Sequence, residues 1–325
     1  MIVNLKASVD GATPECLFLE LVELESQRAK DIEEALLNCL DIDAGFTEEW
    51  LQKNWLSFVS DGASVMLGKN SGVATRLTAR YPNLFTWHCM NHRLELAVSD
   101  AVDEVQAVNH FKVFLEKIHN LYSDQTRSSK ERQTYRGLAR RMQSKEFLCD
   151  LGLMFDALSE LANLSQQLQA HSVTLLRADH LLKRTIRVLA SFKDTQGEKL
   201  EEALTAQALG HLGSVPLESN AKLTPINEKQ FLQSLIKNLE KRLSFDGEML
   251  HDLSVLDTGN WPSTPDIRHC EAQVKRLCRR FNLGEEQAVN AKEVRHNMAE
   301  KPSLCHVSKE AMHTSDEYKH IWKAL

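Results

Sequence analysis

Short apolar runs alternate with amphipathic stretches over the first part of the chain. Residues 2–5 and 16–24 are apolar enough for two strands, and residues 11–14 between them have the composition of a hairpin turn. Apolar positions on one helical face predict a helix over residues 28–40, and the run at residues 55–60 predicts a buried strand. Strands and helices that interleave in this way indicate a layered α/β core.

The same interleaving continues to about residue 122. A helix is predicted at residues 71–80, just before Pro82, and a strand at residues 84–87. Residues 91–122 carry apolar residues at helical spacing and predict one long helix. Its inward positions are Leu94, Ala97, Val98, Ala101, Val105, Val108, Phe111, Phe114, Leu115 and Ile118.

A heptad-like pattern follows at residues 147–189. Apolar residues there alternate at spacings of four and three, which predicts a long helix with one apolar seam. The polar exceptions are Ser165, Ser172 and Asp179, which would weaken a two-stranded coiled coil. We therefore expect the seam to pack inside the protein, with self-association or a partner helix as the alternative. The seam consists of Phe147, Leu151, Met154, Leu158, Leu161, Leu168, Leu175, Leu182, Ile186 and Leu189.

The remainder of the chain is less regular. Residues 197–224 hold Gly210, Gly213 and Pro216 and predict a linker or long loop. Residues 232–243 and 267–281 each predict a helix, and the residues after them are polar and weakly patterned.

Composition narrows the class of protein. With 325 residues, 42% of them apolar, the chain can bury one large core or two ordinary ones. A formal charge of -6 argues against a surface that is basic throughout, as a general coat of nucleic acid needs. There is no bilayer-length apolar run and no secretory signal, and the seven scattered cysteines predict reduced thiols in the cytosol or nucleus.

One carboxylate, Asp61, follows the predicted strand at residues 55–60 and precedes a turn of small residues. A carboxylate at the end of a rigid strand is well placed to hold a divalent metal ion. The alternative is that its side-chain oxygen caps the turn or helix that follows. One Asp cannot run two-metal chemistry, because several carboxylates are needed to hold ions about 4 Å apart.

Two segments in this region resemble motifs of the hAT superfamily of DNA transposases and of host proteins derived from them. Residues 60–68 (Ser-Asp-Gly-Ala-Ser-Val-Met-Leu-Gly) are similar to the segment that carries the family's second catalytic Asp. Residues 89–96 (Cys-Met-Asn-His-Arg-Leu-Glu-Leu) are similar to its Cys-x-x-His-x-Leu-x-Leu element. The resemblance implies an incomplete α/β RNase-H-like core in residues 1–123, a basic linker at 124–145, and a mostly α-helical, insertion-domain-like region at 146–325.

The resemblance also implies that the transposase chemistry is missing. The family's first catalytic Asp lies on a strand before Met1, and its last carboxylate and its main dimerisation region lie beyond Leu325. An Arg-Trp element of the family has no counterpart, because residues 136–150 contain no Trp. We therefore expect a truncated protein in which Asp61 is the lone relic of a carboxylate triad, without Mg²⁺, Mn²⁺ or another cofactor.

A Cys-x-x-His pair, Cys89 and His92, has the spacing of half a zinc site. No second pair lies at a useful spacing. We expect Cys89, His92 and Arg93 to form a structural motif that packs between a strand and a helix, and zinc binding is the alternative.

A local basic island lies at residues 124–145. Phosphate contacts from such residues give affinity for DNA without reading its sequence. The alternative, which we favour, is a solvated and partly disordered linker. The candidate DNA-contacting residues are Arg127, Lys130, Arg132, Arg136, Arg140 and Arg141.

Three functions stand as hypotheses. The first is a domesticated, inactive transposase-derived protein that binds nucleic acid or an unknown protein partner, nuclear by resemblance or else cytoplasmic, and free of membranes. The second is a SUMO-protein ligase or SUMO-pathway cofactor, because one vertebrate protein that the chain resembles is named as such a ligase. Its discriminating feature is an acidic-flanked extended apolar segment, and the best candidate, residues 17–23, falls within a predicted core strand. The third is a residual metal-dependent nuclease.

Overall fold

The structure of the protein, a computed structural model, is mostly helical with a few small sheets. The predicted turn at residues 11–14 and the polar segment after residue 281 lie outside its described residues. The structure describes residues 1–7, 15–123, 129–170, 173–245, 247–256 and 271–280.

Contacts between Cα atoms divide the chain into two compact units. Each unit is assembled from separate stretches of chain, so the division differs from the consecutive regions predicted at residues 1–123, 124–145 and 146–325. Unit 1 comprises Met1–His92, Ala170–Asp179 and Phe245–Leu325, and unit 2 comprises Arg93–Gln169 and His180–Ser244.

All four predicted strands of the first region are present in unit 1. Strands β1 (Ile2–Ala7) and β2 (Glu15–Leu21) pair antiparallel. Strands β3 (Ser57–Ser60) and β4 (Phe85–His88) pair in parallel. The two pairs form separate two-stranded sheets. The coarse prediction of mixed strands and helices is therefore confirmed, whereas one continuous sheet is not present among these strands.

Short helices surround these strands in unit 1. The predicted helix at residues 28–40 is present, and Ile32, Leu36, Val73 and Leu77 are buried in one cluster with Val3. The helices are α1 (Ala29–Asn38), a π-helical turn (Cys39–Asp43), α2 (Glu48–Asn54), α3 (Ser64–Leu67) and α4 (Val73–Arg80).

The long helix predicted at residues 91–122 is two helices, α5 (Met90–Glu104) and α6 (Gln106–Ser123). They meet at Val105, which is buried. The sequence around the break contains no glycine or proline, and the helical spacing of apolar residues continues across it. The sequence therefore gives no sign that the helix ends there. The buried inward positions include Leu94, Ala97, Ala101, Val105, Val108, Phe111 and Phe114, whereas Leu115 is exposed.

The heptad-like stretch is also two helices, α8 (Lys145–Leu168) and α9 (Leu175–Ser191), preceded by α7 (Ser129–Met142). The break has a local cause, because Thr174 accepts a hydrogen bond from the backbone N–H of Arg177 and so caps the start of α9. The buried seam positions are Phe147, Met154, Leu161, Leu168, Leu182 and Leu189.

Two seam positions contradict the predicted internal packing. The side chains of Leu151 and Leu158 are 39% and 42% exposed on α8. They lie beside Phe155, which is 54% exposed, so α8 carries an apolar stripe on its outer face as well as a buried face.

The loop predicted at residues 197–224 is wrong over its first half. That half is helix α10 (Glu198–Leu209), followed by a short hairpin of β5 (His211–Leu212) and β6 (Val215–Pro216). The glycines lie at the two ends of this helix and do not interrupt it. Gly197 is its N-cap residue, and Gly210 ends it with a φ of 79°, a left-handed conformation that glycine adopts easily.

Acidic side chains of α8 anchor the segments around it in unit 2. Glu146 accepts a hydrogen bond from the backbone N–H of Asn220 at 2.9 Å. One helical turn later, the carboxylate of Asp150 accepts from the backbone N–H of Ile226 at 2.8 Å. These two bonds fix the extended segment between α10 and the next helix.

Two further carboxylates of α8 continue this pattern. Asp156 accepts from the backbone N–H groups of Lys199 and Leu200, at 3.1 and 2.9 Å, and so caps α10 from another helix. Glu160 forms an ion pair with Arg184 of α9 and accepts from the hydroxyl of Thr185 at 3.1 Å. One helix thus supplies the acceptors for three neighbouring elements.

The helix predicted at residues 232–243 is confirmed as α11 (Glu228–Leu243). The guanidinium of Arg242 on α11 donates to the carboxylate of Asp100 on α5 at 2.8 and 3.0 Å. The hydroxyl of Ser234 on α11 donates to the carboxylate of Glu104 at 2.7 Å. These polar contacts join α11 to α5, beside the apolar face that α11 buries in the core. The fully buried core residues of α11 include Leu232, Leu235, Leu239 and Leu243.

Unit 1 also contains α12 (Gly247–Leu253), a 3₁₀ turn (Ser254–Leu256) and α13 (Glu271–Arg280). The Nε of Arg276 donates to both carboxylate oxygens of Asp252 at 3.0 Å. This ion pair joins α13 to α12. In the part of the chain that the structure describes, no helix combines the length and apolar character that a membrane span requires.

Candidate functional site

The two resemblance motifs meet at the carboxyl end of the parallel pair β3–β4. Ser60, the last residue of β3, lies opposite His88, the last residue of β4. The backbone N–H of Cys89 then donates to the carbonyl oxygen of Ser60 at 2.8 Å. Parallel pairing places equivalent strand ends side by side, so Asp61 and Cys89 both leave the sheet at this edge.

Asp61 is exposed and engaged in a local turn. One oxygen of its carboxylate accepts a hydrogen bond from the backbone N–H of Ala63 at 3.1 Å. This is the turn-capping contact that the structural alternative expects, and it leads directly into α3 at Ser64. The carboxylate therefore has a structural task at this position.

His88, the residue just before the second motif, lies close to the turn that follows Asp61. The ring of His88 is so near Gly62 that a Cβ added there would lie 2.4 Å from the Cε1 of His88. The rings of His88 and His92 are 5.4 Å apart between centroids. Only a glycine fits at position 62 while His88 keeps this place, which explains the small residue after Asp61.

The other two motif residues have ordinary structural environments. Cys89 is half-buried and forms no disulfide. Arg93 donates from Nη2 to the carbonyl oxygen of Ser244 at 3.1 Å, and burial lowers the pKa of its guanidinium. Within the described ranges, no three His, Cys, Asp or Glu side chains are grouped so that they could hold a metal ion. The expectation that neither Cys89 and His92 nor Asp61 binds a metal ion stays a prediction.

The basic island is largely helical, since α7 covers residues 129–142. Arg136 and Arg140 are exposed one helical turn apart, and Tyr135 beside them is 56% exposed. Arg127 lies outside the described residues, and so do the side chains of Lys130 and Arg132.

Arg141 differs from its neighbours because it faces the protein. Its guanidinium carbon lies 4.1 Å from the centroid of the Phe114 ring, a cation–π contact. Burial lowers the pKa of Arg141, and the charge of Asp150 opposes this change. Arg141 is thus a packing residue of unit 2, and sequence alone could not separate it from Arg140.

Asp150 is a buried carboxyl whose charge interacts with that of Arg141. Burial raises its pKa to about 6, against the opposing effects of the Ile226 N–H and of the Arg141 charge. In the sequence Asp150 is merely one acidic residue on an amphipathic helix, so its burial gives no local signal.

The raised pKa of Asp150 predicts a loss of stability as pH rises. The folded protein holds this proton more tightly than the unfolded chain does, so the stabilisation is complete below about pH 4 and is lost through about pH 6. We expect Asp150→Asn, whose amide oxygen can still accept from Ile226, to remove about 1–2 kcal/mol of this pH dependence. Urea unfolding of both proteins across this range measures it. Parallel pH profiles of the two proteins would contradict the prediction.

The segment at residues 17–23, predicted to lie in a core strand, is instead mostly exposed. Leu17, Phe18 and Leu21 of β2 are 47%, 66% and 64% exposed. The prediction is wrong because β2 belongs to a two-stranded sheet and pairs with β1 alone among the described strands. An exposed edge strand can accept a further strand, whereas a core strand cannot.

Comparisons of the chain with protein family models, curated proteins and solved structures found no match. The resemblance to the hAT superfamily therefore stays a prediction from residues 60–68 and 89–96.

Proposed function

We propose that this chain is an hAT-transposase-derived protein without transposase chemistry, which acts in the nucleus as a binding module for nucleic acid or protein. The observation that carries the proposal is the convergence of both motifs at one end of β3–β4. Asp61 follows β3, and Cys89, which follows β4, is bonded to the residue before Asp61. This supports a common origin for the two segments, since neither local pattern requires the other.

The strand pairs of unit 1 and its helices are compatible with a mixed α/β origin. Unit 1 has one antiparallel pair, β1–β2, and one parallel pair, β3–β4, in separate sheets. Both pairs contribute to one apolar cluster, in which Val3 is buried and Phe58 packs against it.

We expect no metal-dependent cleavage or joining of DNA by the purified protein. Asp61 is exposed and its oxygen serves a turn, and two-metal catalysis needs several carboxylates around ions about 4 Å apart. The measurement is incubation of labelled duplex DNA with the protein and Mg²⁺ or Mn²⁺. The Asp61→Asn variant should behave identically. Cleavage by the natural sequence that disappears in Asp61→Asn would overturn the inactive assignment.

The exposed face of α7 supports binding to the phosphate backbone. Arg136 and Arg140 lie on the same side of the helix, since residues four apart are neighbours. Such cations bind DNA through charge and counterion release, without reading its sequence. Arg141 is excluded from this role because it packs on Phe114.

The double variant Arg136→Glu/Arg140→Glu tests this surface. We expect about a tenfold or larger loss of affinity for a fluorescent duplex of arbitrary sequence, and a fall of about two in the slope of log affinity against log salt. Fluorescence anisotropy over a salt series measures both.

The matched control is Lys53→Glu/Lys69→Glu, which makes the same charge change at two exposed lysines of unit 1. It should retain most of the affinity. Equal losses in both double variants would show that net charge alone acts, and the assignment of α7 as the DNA-binding face would fail.

A further inference from the structure

The backbone of β2 is bonded on one side only, within the residues that the structure describes. Val22 N donates to Met1 O at 2.8 Å, and Met1 N donates to Val22 O at 2.5 Å, so these two residues exchange both bonds. Bonded and non-bonded pairs alternate along an antiparallel ladder. The next residue, Leu21, therefore directs its N–H and C=O away from β1.

A side chain, not a strand, satisfies this outward N–H. Leu21 N donates to the carboxylate of Glu20 at 2.9 Å, in an exposed local bond. If an added strand takes over the Leu21 N–H, water can hydrogen-bond to the displaced Glu20 carboxylate. The exchange of partners therefore costs little free energy. The edge of β2 is thus satisfied for the isolated protein and open to a competing carbonyl group.

The outer face of the β1–β2 pair is apolar around Ile2, Leu21 and Phe18, whereas the exposed side chains of Asn4 and Lys6 on β1 make the rest of it polar. Ile2 lies opposite Leu21, and Phe18 lies opposite Asn4 on the same face. Ile2, Phe18 and Leu21 are each about two-thirds exposed, at 65%, 66% and 64%, whereas Val3 on the other face is 8% exposed. Side chains of an added strand that point to this face would find apolar contacts beside the open edge.

Charge identifies the kind of strand that fits. The stretch at residues 15–25 contains Glu15, Glu20, Glu23 and Glu25 and no lysine or arginine. A second copy of β2 would bring like charges together across the new ladder, which is destabilising. A strand that carries basic side chains would place opposite charges there.

We propose that the free edge of β2 docks an extended strand of another protein, rich in basic and β-branched residues, by strand addition. Main-chain bonds at the Leu21 position supply affinity, and the apolar face and acidic flank supply selectivity. This inference needs neither the DNA-binding role of α7 nor a transposase origin. It gives the protein-binding function a defined surface.

The test uses three synthetic peptides of about eight residues and the full chain. The first alternates valine and lysine, the second alternates valine and glutamate, and the third is the lysine peptide N-methylated at alternate backbone nitrogens. We expect the first to bind at least about tenfold more tightly than either of the others, measured by calorimetry at low salt. Backbone amide shifts should concentrate at residues 15–23.

N-methylation separates strand addition from simple charge attraction, because it removes backbone donors and leaves every side chain in place. Equal binding of the methylated and unmethylated lysine peptides would overturn the proposal, and so would the absence of binding by both. Neither result bears on the salt-dependent DNA binding assigned to α7, so the two proposals fail independently.

A protein variant gives a second readout. Leu21→Pro removes the outward N–H without removing a bond to β1, and edge strands tolerate proline where the N–H faces solvent. We expect about a tenfold loss of affinity for the lysine peptide, whereas Leu21→Val should retain it. Unchanged affinity in Leu21→Pro would contradict strand addition at this edge, and a thermal melt of each variant checks that it is folded.

Discussion

Replacement of Gly152 by valine should lower the free energy of unfolding by about 3 kcal/mol, because α8 and α10 touch at this glycine. A Cβ at position 152 would lie 2.7 Å from the carbonyl oxygen of Lys199 and 2.9 Å from the Cα of Leu200. Both atoms belong to the backbone of α10, so they move only if the helix moves. Urea unfolding followed by circular dichroism measures the change.

The matched control is Gly137→Val, on the exposed face of α7. A Cβ at Gly137 meets nothing within 4 Å, so the same substitution there should change stability by less than about 0.5 kcal/mol. The difference between the two variants isolates the contact between α8 and α10 from the intrinsic helix preference of valine. Similar changes in the free energy of unfolding for both variants would show that α8 and α10 can accommodate a larger residue at position 152.

Asp156→Ala should cost about 3 kcal/mol, because the substitution leaves two backbone donors at the start of α10 without an acceptor. Asp156 accepts from Lys199 N and Leu200 N, and the N-cap residue Gly197 has no side chain that could replace it. Asp156→Asn keeps one acceptor oxygen and should lose about 1 kcal/mol. Thermal or urea unfolding ranks the two variants.

A double variant tests whether Asp156 stabilises the protein by capping α10. In the natural sequence Gly197→Ser should be destabilising, because a Cβ at position 197 would lie 2.3 Å from the Oδ2 of Asp156. In an Asp156→Gly background the whole side chain is gone, including its Cβ, which would lie 2.8 Å from a Cβ at position 197. A serine at 197 can then cap α10 locally, which should recover about 1 kcal/mol relative to Asp156→Gly alone. The sign of the Gly197→Ser effect should therefore reverse between backgrounds. The same sign in both would mean that Asp156 acts by something other than capping.

The elements that sequence predicted well are those with a local pattern of their own. The strands β1 to β4 have short apolar runs bounded by turn residues, and α11 has a complete apolar face. Helix α10 was missed for a physical reason. Its glycines mark its two ends, and the capping group comes from Asp156, 41 positions before Gly197. Only the tertiary structure brings a cap from that distance.

In the candidate site, too, contacts between residues close in sequence could be predicted, whereas contacts between distant elements could not. The turn contact of Asp61 involves Ala63, two residues away, and sequence reasoning offered it as an alternative. The inward orientation of Arg141 depends on Phe114 in another helix, so nothing local distinguishes it from exposed Arg140. The exposure of β2 depends on how many strands its sheet has. Apolar content alone therefore placed this segment in a core.

The anchoring of distant segments by α8 has a consequence for synthesis of the chain. Glu146 and Asp150 bind backbone groups 74 and 76 residues later in the sequence. While a ribosome is still making that later stretch, neither carboxylate has the backbone partner that it has in the folded protein. Unit 2 can thus close only after translation has passed Ile226, which makes its completion a late event in the life of the nascent polypeptide.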